Sequence, residues 1–241
     1  MALRLAWATD PGLEREENED SVFVSSELGG LDALLVVADG MGGHASGQVA
    51  SQLLAKSVSD QLSDGGDIGG EHLKEVLVKA NTVVFEASQA ASENAGMGST
   101  LVIVAIRDGR LGLLNVGDSP AYLFRAGAVT EIYQNHNWPS EQARAGIIPA
   151  EEVANHPMKH RLARAVGVWD HVKPFTNELA LEDGDLVVLC SDGVEEAGVS
   201  PQEIHQLLDK DDLQTAVDDL VDLCRSRGAP DNVTVAAVRV E

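Results

Sequence analysis

Aspartate residues at the ends of four short apolar segments constrain the fold of this chain more than any other feature of its sequence. Each aspartate flanks one such segment: Asp39 (33–38), Asp118 (113–117), Asp192 (186–191) and Asp231 (233–238). Short unbroken apolar segments are typical of buried strands. If the four ends converge, each pair of carboxylates roughly 4 Å apart costs about 4 kcal/mol at an effective dielectric of about 20. Three such pairs would cancel most of a domain's stability of roughly 5–15 kcal/mol. Protons or divalent cations must offset that repulsion, and we interpret the pattern as a cation site.

Composition limits the possible partners and compartments. The 241 residues are 44% apolar, which is enough for a sizeable core. The formal net charge of −22 argues against nucleic acid or an anionic membrane as a partner. No segment approaches the roughly 18 apolar residues of a membrane span, and residues 1–5 do not resemble a signal peptide. Cys190 and Cys224 lie in apolar segments, where we expect reduced core thiols, and we therefore predict a cytoplasmic protein.

Hydrophobic periodicity predicts strands joined by hairpins and helices that come in pairs. Strands are predicted at 3–8, 21–26, 31–38, 101–106, 111–116, 121–125, 128–132, 176–180, 185–191 and 233–240. Helices are predicted at about 47–62 and 71–91, from Ser200 onward with a capping box, and at about 213–227. Asp183-Gly184 predicts a hairpin between the strands at 176–180 and 185–191. This order indicates an α+β fold of antiparallel sheets covered by helices. The more polar residues 133–168, with three prolines and two short helical pieces, are expected to form a surface flap, called the flap segment below.

Five Asp-Gly pairs occur in the chain, and most such pairs are turns. Asp64, Asp108 and Asp183 lie in loop or hairpin settings, so we assign them to turns. Asp39-Gly40 and Asp192-Gly193 differ because an apolar strand brings each of them to a sheet edge. For either of these two pairs considered alone, a buried helix cap or a turn remains an alternative to a cation ligand.

Residues 40–47 contain four glycines directly before a predicted helix. Such a segment lets backbone groups approach an ion or a phosphate closely, but it is not a P-loop because no Gly-Lys-Ser/Thr follows. His44 in this segment is either an ordinary exposed histidine or a catalytic group. Arg15, in the acidic residues 12–20, is either part of a solvated charged loop or a bidentate phosphate clamp. Asp20, which opens a strand, would then be a further acid beside the metal.

Other catalytic classes lack the residues they need. The chain has no His-Glu-x-x-His and no paired Cys-x-x-Cys, which argues against a zinc centre. A cysteine phosphatase needs arginine six residues after its cysteine, where Glu196 and Pro230 stand. Gly-x-Ser-x-Gly is also absent. An all-oxygen site suited to magnesium or manganese remains.

Seven segments over nearly the whole chain form a further pattern: Val37-Ala38-Asp39-Gly40-Met41-Gly42-Gly43-His44, which is the most specific, and residues 12–20, 98–100, 115–119, 162–167, 190–193 and 230–234. In this order they resemble the motifs of the metal-dependent Ser/Thr protein phosphatases of type 2C in their compact bacterial form. The resemblance implies two mainly antiparallel β-sheets sandwiched between pairs of helices. It also implies that residues 1–241 form a single catalytic domain.

The resemblance also implies roles for individual residues. Asp39 would bridge two Mn²⁺ or Mg²⁺ ions, one of them also bound by the Gly40 carbonyl, and Asp192 and Asp231 would hold the other. Asp20 would act through water, as would Glu19 as a weaker candidate. Asp118 with Asp192 would form a looser third metal site. Arg15 would bind the phosphate, and His44 would be the general acid that protonates the leaving group.

The resemblance implies a phosphatase that hydrolyses phosphoserine and phosphothreonine in proteins with a hydroxide held by two metal ions. Its partners would be phosphorylated proteins, the products of a Ser/Thr kinase, and we expect a monomer. The rival hypotheses are a catalytically silent regulatory domain of the same fold and a two-metal phosphodiesterase, which would need a basic groove. Three departures from the family pattern bear on substrate choice: Pro120, Asn135-His136-Asn137 and Ala163.

Overall fold

The computed structural model describes residues 1–42 and 46–241. The strands are β1 (Leu3–Asp10), β2 (Asp20–Leu28), β3 (Leu31–Met41), β4 (Gly98–Ser99), β5 (Leu101–Arg107), β6 (Arg110–Val116), β7 (Ala121–Arg125), β8 (Ala128–Glu131), β9 (Phe175–Ala180), β10 (Leu186–Cys190) and β11 (Val233–Val240). The α-helices are α1 (Ser46–Ser63), α2 (Gly70–Ala90), α3 (Trp138–Arg144), α4 (Gly193–Glu196), α5 (Pro201–Leu208) and α6 (Leu213–Ser226). Single 3₁₀ turns occur at Ser92–Asn94 and Ala150–Glu152.

These strands form two antiparallel sheets. The five-stranded sheet has the order β1-β11-β10-β7-β8, and the six-stranded sheet has the order β2-β3-β5-β6-β9, with β4 paired to β3. Helices α1 and α2 cover the outer face of the six-stranded sheet, while α5 and α6 cover the outer face of the five-stranded sheet. A third apolar cluster fills the space between the two sheets. The predicted α+β fold of two sheets between pairs of helices is confirmed.

Residues 33–38 of strand β3 are buried on both faces, which explains why they form an unbroken apolar segment. Leu34, Val36 and Ala38 pack toward the helices. Ala33, Leu35 and Val37 pack toward the opposite sheet. Strand β10 alternates in the same way, with Leu186, Val188 and Cys190 toward the helices and Val187 and Leu189 toward the opposite sheet.

The predicted hairpin across Asp183-Gly184 is wrong. Strand β9 pairs with β6 at the edge of the six-stranded sheet, whereas β10 lies between β7 and β11 in the other sheet. The turn itself exists, with Asp185 N donating to Glu182 O at 3.1 Å, and it carries the chain from one sheet to the other. A turn motif indicates only that the chain reverses. The two strands differ in burial, which is partial for β9 at a sheet edge and complete for β10 between two neighbouring strands.

The flap segment contains the two short helical pieces expected from its sequence, α3 and the turn at Ala150–Glu152. The side chain of Asn137 caps α3 by accepting a hydrogen bond from Ser140 N at 3.0 Å. Backbone hydrogen bonds tie the two ends of the segment together, from Trp138 N to Arg161 O (2.7 Å) and from Ala163 N to His136 O (2.8 Å).

The two cysteines are free and buried, as predicted. Cys190 lies in β10 and Cys224 in α6, within the same apolar cluster. Within residues 1–42 and 46–241, none of the helices has the length and apolar character needed to cross a membrane.

Candidate metal centre

The candidate site lies at one end of the sandwich, where strands of both sheets terminate. Asp20 and Asp39 are direct neighbours in the register of β2 and β3. Because side chains alternate along a strand, Asp39 is on the same face as Leu35 and Val37, toward the space between the sheets. Asp192 follows β10 and Asp231 precedes β11, and these two strands are paired in the opposite sheet. The fold therefore brings together carboxylates that are far apart in the sequence.

The glycine after each of two aspartates permits close approach of the backbone. A Cβ atom at Gly40 would collide with the carbonyl oxygens of Gly47 and Glu19. A Cβ atom at Gly193 would collide with the carbonyl oxygen of Asn232. The Asp-Gly pairs at these two sites are therefore required by packing between segments and not by a turn.

Hydroxyl groups hold the buried aspartates in place. Ser191 Oγ donates to Asp20 Oδ2 (2.7 Å) and accepts from Thr234 N (3.0 Å), which joins three strand ends. Thr100 Oγ1 accepts from Asp39 N at 3.0 Å, and Thr100 N donates to Asp39 O at 2.8 Å. Neither Ser191 nor Thr100 was predicted individually from the sequence, although both lie in segments that carry the resemblance.

A buried histidine fixes the loop that carries Asp118. Gly117 N donates to His136 Nδ1 at 3.2 Å, and His136 N donates to Gly117 O at 2.9 Å. Burial, followed by the nearby Arg164 guanidinium, lowers the pKa of His136 to about 3. The imidazole is therefore neutral, and one edge of the flap segment is bound to the residue preceding Asp118.

Five of the site carboxyl groups have raised pKa values, those of Glu19, Asp20, Asp39, Asp118 and Asp192, and burial is the main cause for each. It raises the pKa of Asp20 to about 6 and that of Asp118 to about 7. The pKa of Asp39 lies well above its usual range because of burial and then the charges of Asp192, Asp20, Asp118 and Asp231. The pKa of Asp192 is raised for the same two reasons, with Asp118 the strongest neighbour. Neighbouring carboxylates thus add to burial in raising the pKa values of Asp39 and Asp192.

A cleft of about 550 Å³ opens above these groups. Its lining includes Arg15, Glu19, Asp39, Gly40, Thr100, Asp118, His160, Asp192, Glu196 and Asp231. Apart from Asp20 and His44, every residue predicted for the site lines this one cleft. Asp20 does not line it and is only 8% exposed. His44 lies outside the described residues.

The donor set fits divalent cations. Carboxylate oxygens of Asp192, Glu196 and Asp231 all lie within 4.8 Å of one another. Asp20 Oδ1 and Glu19 Oε1 are buried and have no hydrogen-bond partner among the described residues. Magnesium and manganese prefer oxygen ligands such as carboxylates. Carboxylate oxygens that accept no hydrogen bond are available to bind such an ion.

Glu196 is a member of this cluster that the sequence analysis missed. It lies four residues after Asp192, on the same face of the short helix α4 that follows β10. That spacing was available in the sequence, but a glutamate near a strand end has many other uses. Its proximity to Asp231, 35 residues farther along the sequence, arises only in the folded chain.

Arg15 lies at the cleft and pairs with one of its acids. Its Nη2 donates to Asp231 Oδ2 at 2.6 Å, a contact across 216 residues, and the arginine side chain is 50% exposed. An arginine of a solvated loop would pair locally with the acids around it. This contact therefore favours a place in the site for Arg15.

Comparison with known proteins assigns the chain to a family. A family model described as Protein phosphatase 2C matches residues 14–235. The chain belongs to the protein phosphatase 2C family.

Two curated relatives and one solved structure are named Ser/Thr phosphatases. Serine/threonine protein phosphatase PstP of Mycobacterium tuberculosis is 34% identical over 242 residues, a match that spans all of this chain but only 45% of the relative's length. Serine/threonine phosphatase stp of Listeria monocytogenes is 32% identical over 238 residues, with 95% of this chain and 93% of the relative covered. A structure of the catalytic domain of PstP in complex with two manganese ions superposes with a TM-score of 0.84, at 34% identity and 99% coverage of both chains.

Proposed function

We propose that this chain is a metal-dependent phosphatase that hydrolyses phosphoserine and phosphothreonine in proteins. The observation that carries the proposal is the convergence of Asp39, Asp118, Asp192 and Asp231 around one cleft that also contains Arg15. The family and the names of the relatives support the same activity.

The proposed ligands of the cations are Asp39, the Gly40 carbonyl, Asp192 and Asp231, with Asp20 acting through water. Asp118 and Asp192 are proposed for a third, looser site. The two manganese ions of the PstP catalytic-domain structure support manganese as the cation and two as the minimum number. Divalent cations bound to such carboxylates lower the pKa of water, which makes a hydroxide nucleophile available near neutral pH.

Arg15 is proposed to bind the phosphate group of the substrate. A guanidinium group offers two parallel donors that match two phosphate oxygens. Its pairing with Asp231 keeps it at the edge of the cleft, and its exposure leaves it room to turn toward an incoming ligand. His44 is proposed to give a proton to the departing serine or threonine oxygen, a role that rests on the resemblance alone.

Residues 1–241 are proposed to act as one catalytic domain with the flap segment at 133–168. The apolar cluster shared by the two sheets supports a single unit. Pro120 is buried, and its carbonyl accepts from Cys190 N at 3.0 Å, so any effect of this residue on substrate choice is indirect.

A cytoplasmic monomer that reverses the action of a Ser/Thr kinase is the proposed context. Two buried free thiols support a reducing compartment.

The experiment is the hydrolysis of a phosphothreonine peptide in the presence of manganese, magnesium, calcium or a chelator. We expect turnover with manganese or magnesium and none after chelation. A silent regulatory domain would show no turnover with any ion. A phosphodiesterase would instead cleave bis(nitrophenyl) phosphate and leave the phosphopeptide intact.

A further inference from the structure

Arg15 lies in an irregular loop, so its place at the cleft depends on how that loop is held. The structure describes all of residues 11–19, called the arginine loop below, as turns and bends between β1 and β2. The Arg15 side chain is 50% exposed. A long exposed side chain has many accessible rotamers. The contacts of the loop backbone therefore decide where the guanidinium group can reach.

The side chain of Asn232 holds the arginine loop at three points. Its Oδ1 accepts from Glu19 N at 2.8 Å. Its Nδ2 donates to the carbonyl oxygens of Pro11 and Glu17, each at 2.9 Å. Both amide hydrogens are therefore used, and Asn232 is only 5% exposed. One buried amide group fixes both ends of the arginine loop.

The backbone of Asn232 belongs to the acidic end of the sandwich. Asn232 N donates to Asp231 Oδ1 at 2.8 Å, and Asn232 O accepts from Ser191 Oγ at 3.3 Å. Asn232 thus connects the arginine loop directly to the segment that carries Asp231, the acid with which Arg15 pairs.

Close backbone packing brings the arginine loop against the same segment. Leu13 N donates to Ala229 O at 2.9 Å. Gly12 has a φ of +77°, and a Cβ atom there would lie 2.3 Å from Asp231 O and 2.7 Å from Ala229 O. Only glycine fits this position without moving the loop.

A further contact at the start of the loop contributes less. Arg225 Nη1 lies 2.5 Å from Asp10 Oδ2, and Asp10 Oδ1 accepts from Gly12 N at 2.8 Å. The Arg225 side chain is exposed, and exposed ion pairs contribute little. The buried hydrogen bonds of Asn232 are therefore the main restraint on the arginine loop.

We infer that Asn232 is a positioning residue for phosphate binding, because it holds the arginine loop where Arg15 can face the cleft. A guanidinium group binds two phosphate oxygens in parallel only in a suitable orientation. Misplacement of such a group by about 1 Å can cost about 100-fold in rate. The inference rests on the proposed function, in which Arg15 binds the phosphate, and it assigns the placement of Arg15 to a residue outside the proposed site.

Titration calorimetry of the manganese-loaded protein with inorganic phosphate tests the inference. We expect Asn232→Ala to weaken phosphate binding by about 10- to 100-fold, the contribution of hydrogen bonds to a charged group. The affinity for Mn²⁺, titrated in the same way, should change less, because the backbone N–H of residue 232 still donates to Asp231. Phosphate binding equal to that of the wild type would contradict the inference.

The matched control is Asn81→Ala. Asn81 is 2% exposed, and its amide group also bridges two segments, by donating to Trp169 O at 2.9 Å and accepting from Gly167 N at 2.8 Å. Neither segment belongs to the arginine loop. We expect this variant to lose stability in urea as Asn232→Ala does, but to bind phosphate like the wild type. Equal weakening of phosphate binding in both variants would show a general effect of destabilisation and overturn the inference.

Kinetics separate an effect on Arg15 from an effect on the acids. Phosphate binding by Arg15 is present in the ground state and in the transition state, so its loss should raise KM for nitrophenyl phosphate more than it lowers kcat. We expect this pattern in Asn232→Ala. A lower kcat with an unchanged KM would mean that Asn232 acts through Asp231 instead.

The double variant with Arg15→Ala tests whether Asn232 acts through Arg15. We expect it to bind inorganic phosphate no more weakly than Arg15→Ala alone, because the group that Asn232 positions is already missing. Strictly additive losses would show that the two residues act independently and would contradict the inference.

Limited trypsin digestion measures the arginine loop without reference to activity. We expect cleavage after Arg15 to be faster in Asn232→Ala than in the wild type and in Asn81→Ala. Cleavage after Lys79, in helix α2, controls for general unfolding. Cleavage after Arg15 at the wild-type rate would mean that Asn232 does not restrain the loop.

Gly12→Ala is a second variant that displaces the loop without changing Asn232. Its Cβ atom would press against the backbone of residues 229–231. We expect weaker phosphate binding and faster cleavage after Arg15, as in Asn232→Ala. If Asn232→Ala does not fold, this variant decides the question, and phosphate binding at the wild-type affinity in folded Gly12→Ala would overturn the inference.

The failure of the inference and the failure of the proposed function give different results. A wild type that neither binds inorganic phosphate nor hydrolyses the phosphopeptide with manganese would refute both. A wild type that hydrolyses the phosphopeptide, alongside an Asn232→Ala variant with unchanged phosphate binding, would refute only the inference.

Discussion

At the scale of single residues, Ser191 shows how a small hydroxyl group organises the site. It donates to Asp20 and accepts from Thr234 N, and it is completely buried. Ser191→Ala would leave a buried carboxylate oxygen and a buried backbone N–H without partners. We expect it to lower the free energy of unfolding by about 1–3 kcal/mol, measured by urea denaturation.

The control for this change is Ser26→Ala, since Ser26 is an exposed residue of β2. We expect that variant to remain within about 0.5 kcal/mol of the wild type. Equal stability of Ser191→Ala and Ser26→Ala would mean that the hydrogen bonds of Ser191 do not contribute to the fold.

His44 offers a prediction about chemistry. A serine alkoxide leaves poorly without a proton, whereas nitrophenolate leaves readily. If His44 is the general acid, His44→Ala should reduce phosphopeptide hydrolysis by about 100- to 10,000-fold and nitrophenyl phosphate hydrolysis far less. Comparable losses of kcat on both substrates would assign His44 to shaping the site.

At the scale of secondary-structure elements, the sequence predicted most strands and helices but not all of their partners. Asp39 and Asp192 could be separated from the turn aspartates because unbroken apolar strands lead directly to them. The partner of β9 could not be predicted, because the same Asp-Gly turn fits a hairpin or a change of sheet. The proximity of Glu196 to Asp231 was also beyond the sequence, because it depends on the pairing of β10 with β11.

The capping box of helix α5 was predicted from the sequence and is present in the structure. Ser200 Oγ accepts from Glu203 N, and Glu203 Oε2 accepts from Ser200 N at 3.0 Å. We expect Ser200→Ala to lower the free energy of unfolding by about 1 kcal/mol, as measured by urea denaturation, because a helix N–H loses its acceptor. Ser200→Thr, which keeps the acceptor, is the control, and an equal loss in both variants would contradict the explanation.

At the scale of the whole molecule, the buried acids predict how stability depends on pH and on cations. In the folded protein without divalent cations, the pKa of Asp20 is about 6 and that of Asp118 about 7, against about 3.9 for an unfolded aspartate. A raised folded pKa contributes stability that is fully present below about pH 4 and is lost as the pH rises through the folded values. The cation-free protein should therefore lose this contribution between about pH 4 and pH 7.

Manganese should offset this loss, since it competes with protons for the same oxygens. We expect the increase in Tm on adding Mn²⁺ to be larger at pH 7.5 than at pH 5, measured by thermal melts with and without the ion. Sodium chloride at matched ionic strength controls for general screening. An increase that is equal at both pH values, or larger at pH 5, would show that these carboxylates do not share a cation site.

The central claim is that aspartates at the strand ends form a cation site that supports hydrolysis of a phosphate ester. The most direct measurement is the manganese-dependent rate of phosphothreonine peptide hydrolysis by Asp39→Asn beside Asp183→Asn, which alters an Asp-Gly aspartate located in a turn. Removal of a side chain that only hydrogen-bonds to a metal ligand typically lowers metal affinity or activity by about 10- to 100-fold. Asp39→Asn should therefore lose at least about 100-fold while it remains folded by circular dichroism, and Asp183→Asn should retain the wild-type rate. A folded Asp39→Asn variant with the wild-type rate, or full wild-type activity after exhaustive chelation, would contradict the account.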